Sequence, residues 1–87
     1  MQETFNWKGI KLETPATYRI VVQGCLDQSW SDRLAGMAIV SQSKGKDAPV
    51  TTLTGRLRDQ AELSGVLNSL YELHLPILKV EMLERDE

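Results

Sequence analysis

The sequence is short of the residues from which covalent and metal chemistry is built. It holds one cysteine, Cys25, and one histidine, His74, among 87 residues. A single thiol excludes an internal disulfide. One His and one Cys leave any metal site to carboxylates alone, and no spacing here supplies a ligand set. Aromatic residues are also scarce: two Trp, two Tyr and one Phe. Neither sign of charge dominates, since the net charge is −2 and most of it is terminal. Residues 81–87 carry −3, which leaves +1 for residues 1–80. A neutral body has no long-range field to attract nucleic acid or an anionic lipid surface. No apolar run approaches the roughly 18 residues needed to cross a bilayer, and the first residues lack the apolar core of a signal peptide. A lone thiol suits a reducing compartment. The expectation is a cytoplasmic chain without a nucleic-acid partner, a membrane partner, a cofactor or a metal.

What is present is enough for one domain. Hydrophobic residues make up 41% and charged residues 25%, which excludes disorder, collagen and coiled coil. A chain of this length has a stability of about 4–13 kcal/mol and one core.

Residues 17–24 alternate, with Tyr18, Ile20 and Val22 on one face and Arg19, Val21 and Gln23 on the other. This predicts a first strand closed by Gly24. The period then changes: Leu26, Trp30 and Leu34 recur at i, i+4 and i+8. That spacing predicts a helix of two to three turns near 28–35, with Ser29 and Asp32 as a capping pair and Gly36 as its stop. Residues 37–42 and 50–57 read as strands two and three, joined by a polar loop containing Lys44, Gly45 and Lys46. Asp59 and Glu62 have the form of a capping box, and Leu63, Val66, Leu67, Leu70 and Leu73 follow at helical spacing up to Pro76. Residues 77–83 close the domain as strand four, with Leu78, Val80 and Met82 facing the core.

The order β-α-β-β-α-β predicts an α+β, ferredoxin-like fold: a four-stranded antiparallel sheet with two helices on one face. Strands one and three should lie in the centre, with two and four at the edges. Residues 1–16 form an N-terminal arm, 17–83 the domain and 84–87 an acidic tail. The arm carries its own apolar set, Phe5, Trp7, Ile10 and Leu12.

The helix-free face of such a sheet would present Arg19, Val21, Val40, Thr52, Thr54 and Arg56. It has no aromatic residue for bases to stack on, which argues against RNA. Val21 and Val40 among threonines instead suit a self-complementary contact between two copies. A Cys25–His74 dyad is disfavoured, because the two residues sit at the ends of different elements and a Cys there more often fills space. Trp30, sharing a stripe with two leucines, reads as core.

Val22-Gln23-Gly24-Cys25 resembles the phosphate-binding loop of acylphosphatases, a family with the same element order. That resemblance implies a small hydrolase using the Gln23–Asp27 loop. The family's loop arginine has no counterpart, since positions 26–29 are Leu, Asp, Gln and Ser. Without a guanidinium, nothing clamps a phosphoryl dianion. A wider string resembles a group of short uncharacterised bacterial proteins. It runs from Tyr18 through Ile20, Val22 and Gly24, then Leu26, Asp27, Trp30 and Ser31. It continues with Thr52, Leu53 and Gly55, with Asp59, Gln60, Ala61 and Leu63, and with Leu67, Leu73, Leu75 and Pro76. The resemblance implies a small stand-alone bacterial domain and carries no catalytic residue. The expectation is therefore a non-enzymatic interaction or regulatory module, homodimeric through the open sheet face or the arm, or bound to another protein.

Overall fold

The computed structural model describes residues 15–43 and 48–85. Four strands, β1 (Ala16–Gln23), β2 (Ala38–Gln42), β3 (Val50–Leu57) and β4 (Ile77–Arg85), form one antiparallel sheet in the order β2-β3-β1-β4. A 3-10 helix (Gln28–Leu34) links β1 to β2, and an α-helix, α1 (Gln60–Glu72), links β3 to β4. The chain is thus α+β, with β1 and β3 central and β2 and β4 at the edges.

The expected βαββαβ order is corrected at its first crossover, which is a 3-10 helix and not an α-helix. The link is short. Seven residues rise about 14 Å as a 3-10 helix but only about 10 Å as an α-helix, so the tighter winding covers more distance with the same chain. Its capping also differs from expectation. Asp27 stands at the N-cap, but its carboxylate accepts from Ser29 Oγ at 2.8 Å instead of from a backbone N–H. At the other end Ala35 takes a left-handed conformation (φ 59°) before Gly36 (φ 72°), so the reversal begins one residue before the glycine.

The core lies between the helices and one face of the sheet. Tyr18, Ile20 and Val22 of β1, Leu53 and Leu57 of β3, and Ile39 of β2 are buried beneath Leu26, Leu34, Val66 and Leu70. Of the stripe on α1, Val66 and Leu70 are buried, while Leu63, Leu67 and Leu73 pack half-buried at its margins. Trp30 also packs at the margin of the core, with the Arg33 guanidinium 5.2 Å from its ring centroid. The Gln60 amide donates to the Tyr18 hydroxyl at 2.6 Å, tying the first turn of α1 to the central strand.

Helix α1 is capped at both ends. Asp59 accepts from the Glu62 N–H at 2.8 Å, and Glu62 accepts in return from the Arg58 N–H at 2.8 Å. The C-terminus ends in a Schellman motif: the Leu75 N–H donates to the Leu70 carbonyl and the His74 N–H to the Tyr71 carbonyl. His74 occupies the left-handed position of that motif, at φ 62°.

Strand β4 departs from simple alternation. Met82 pairs with Tyr18, Val80 with Ile20 and Ile77 with Val22, so Leu78 and Leu83 are extra residues at two irregularities. Ile77, not Leu78, therefore takes the place opposite Val22 on the helix side, because one inserted residue shifts the two-residue period. The arm expected over residues 1–16 lies outside the described residues but for its last two, as does the Lys44-Gly45-Lys46 cluster.

Candidate interaction surface

Pleating and register assemble the helix-free face. In β1, Arg19 and Val21 alternate with buried Ile20, so they must emerge on the side away from the helices. The ladder places Thr54 opposite Arg19 and Thr52 opposite Val21, then Ala38 opposite Thr54 and Val40 opposite Thr52. One row across the sheet therefore reads Val40, Thr52, Val21, Lys79, and the next reads Ala38, Thr54, Arg19, Glu81. Arg56 follows in a third row opposite Thr17. All six residues proposed from the sequence share this face.

Its electrostatics centre on one carboxylate. Glu81 Oε2 receives Arg19 Nη1 at 3.1 Å and Lys79 Nζ at 3.5 Å. Both cations are substantially exposed, so each pair stabilises the chain by at most about 1 kcal/mol. Their arrangement matters more than their strength, because it sets positive and negative charge alternately along the outer strand.

The second surface comes from the edge. Among the described residues, six of the seven exposed large apolar side chains lie on strands: Val40 on β2, and Ile77, Leu78, Val80, Met82 and Leu83 on β4. Val80 and Met82 continue the rows that hold Ile20 and Tyr18 in the core, yet they remain 43% and 41% exposed. The edge position of β4 agrees with the sequence expectation, but its Leu78, Val80 and Met82, expected to face the core, are exposed. The available signal was the apolar content of residues 77–83 on both faces of one strand.

The Gln23–Asp27 loop is tied back onto the sheet. The Gln23 N–H donates to the Pro76 carbonyl at 2.9 Å and the Gly24 N–H to the Pro49 carbonyl at 2.8 Å. Behind the loop runs a chain of hydroxyls. The Leu26 N–H donates to Ser41 Oγ at 3.2 Å, Ser41 Oγ lies 2.7 Å from Thr51 Oγ1, and Thr51 donates to the Gly24 carbonyl at 2.6 Å. With one proton per hydroxyl, these bonds run head to tail from Leu26 to Gly24. Gly24 adopts φ 120°, and a Cβ there would stand 2.7 Å from Leu75 Cδ2. Three of the loop's N–H groups are thus spent internally, whereas a phosphate cradle presents them to a ligand.

Cys25 is exposed, which corrects its expected role as a filler: the loop turns its side chain outward after the strand ends. The elements carrying Cys25 and His74 do meet, through the Gln23–Pro76 bond, which the sequence reading did not expect. Neither side chain makes a hydrogen bond, and His74 is itself exposed at the helix end. An open groove of about 530 Å³ lies there, lined by Tyr71, Glu72, His74, Leu75 and Pro76. Among the described residues no three His, Cys, Asp or Glu side chains gather as metal ligands, and no helix is long and apolar enough to cross a membrane.

Residues 17–81 match a family model described as a domain of unknown function (DUF8691). No curated protein and no solved structure matches the chain.

Proposed function

The chain belongs to the family described as a domain of unknown function (DUF8691), and from that premise we propose that it is a non-enzymatic interaction module that pairs with a second copy of itself. One observation carries the reading: the large apolar side chains left exposed are concentrated on the sheet, above all on edge strand β4. Clustered apolar exposure at a sheet edge marks a contact surface. The internally bonded Gln23–Asp27 loop supports a binding role over hydrolysis. The ferredoxin-like arrangement belongs to the same reading, with the 3-10 helix standing in for the first crossover helix. In that arrangement both helices guard one side, and self-association falls to the helix-free face and the outer strands.

Sedimentation equilibrium at high micromolar concentration tests the proposal. The expected result is a species of twice the 9.8 kDa chain mass. A monomer throughout the concentration range refutes it.

A further inference from the structure

We infer that two copies join edge to edge through β4, antiparallel about a twofold axis at Val80, so that the two sheets become one of eight strands. The inference rests on the self-pairing reading and names its surface and register.

Strand β4 is hydrogen-bonded to β1 on one side, and no described strand pairs with its other side. An unpaired edge is a template for another strand. Between Lys79 and Met82 the strand is regular: Lys79, Val80, Glu81 and Met82 pair in step with Val21, Ile20, Arg19 and Tyr18. Antiparallel pairing of a strand with its own copy sets residues of the same face opposite each other. Within this regular stretch the twofold axis must therefore pass through a residue, not between two.

Charge selects which residue. An axis at Lys79 stacks two ammonium groups, an axis at Glu81 stacks two carboxylates, and an axis at Met82 centres the pairing beside the irregularity at Leu83. An axis at Val80 sets Val80 against Val80 and each Lys79 against the other copy's Glu81.

Both faces of the joined sheet become continuous. On the helix side, the row Ile39, Leu53, Ile20, Val80 meets its copy at Val80. That row is buried as far as Ile20 and opens only at Val80. On the other side, Val21 and Lys79 are followed by the copy's Glu81 and Arg19, which extends the Arg19–Glu81 pair into a ladder of alternating charge.

Charge reversal tests the register. Lys79→Glu sets two carboxylates opposite each other in each pair, and Glu81→Lys sets two ammonium groups there. Each variant alone should dissociate about tenfold or more readily than wild type, because opposed like charges replace opposed unlike ones. Mixed in equal amounts, the two variants should restore a heterodimer, read by native mass spectrometry with one variant isotope-labelled. The double variant Lys79→Glu/Glu81→Lys should restore the homodimer. Thermal melts confirm that each variant is folded.

A wild-type dimer that ignores both reversals but is lost with Val21→Glu overturns the edge register and leaves self-pairing intact, with the contact on the open face. Failure of the mixture to restore pairing also overturns the register. A monomeric wild type refutes both readings.

Discussion

Thr51 is, with Tyr18, one of two buried hydroxyl-bearing side chains among the described residues, and replacing it by valine isolates its hydroxyl at constant shape. Thr51 Oγ1 donates to the Gly24 carbonyl at 2.6 Å and lies 2.7 Å from Ser41 Oγ. Thr51→Val strands the partly buried Gly24 carbonyl, and an acceptor left there without a donor costs about 1–3 kcal/mol. Ser41 recovers most of its own loss, since its hydroxyl can turn to the Leu26 carbonyl at 3.1 Å. The added methyl returns up to about 0.8 kcal/mol by burial. The net expectation is a destabilisation of about 1–2 kcal/mol, a sizeable part of the total for a chain of this length. Urea titration measures it as a lower midpoint at unchanged m-value. Ser41→Ala should couple to it by at least about 0.5 kcal/mol in a double-mutant cycle, because the two hydroxyls act in one chain. A Thr51→Val protein as stable as wild type would refute the head-to-tail network.

Three further outcomes follow from the packing of α1. Leu70→Ala empties a fully buried site and should cost about 3–5 kcal/mol by urea titration, whereas Leu67→Ala, half-buried, should cost less than half as much. Asp59→Ala removes the acceptor for the Glu62 N–H and should lower stability by about 1 kcal/mol, with the first turn of α1 losing protection from hydrogen exchange. His74 holds a left-handed backbone, so His74→Gly should raise the urea midpoint by up to about 1 kcal/mol in stability, and His74→Val should lower stability by at least about 1 kcal/mol. Equal midpoints for the two His74 variants would show that the Schellman turn does not hold in solution.

The sequence by itself determined the elements whose signals are local. Alternation in Tyr18-Arg19-Ile20-Val21-Val22 marks a strand whatever lies beside it, and Asp59 with Glu62 marks a helix start because a cap acts within one turn. The composition of the open face was legible for the same reason: once β1 and β3 are strands, pleating alone puts Arg19, Val21, Thr52 and Thr54 on one side. Tertiary structure decided what depends on distance and register. The link after Gly24 had helical spacing, but in the packed chain it is wound as a 3-10 helix. Leu78 was displaced from the helix side because Ile77 pairs with Val22, which no periodicity within β4 records. Ser41 and Thr51, ten positions apart, met only because β2 pairs with β3, and their hydroxyls then closed the loop at Gly24. Val80 belongs to a core row by pattern and is left exposed by position, since burial depends on which elements lie overhead. Local chemistry selects the conformation of a segment; only the packed sheet selects which of its side chains are covered.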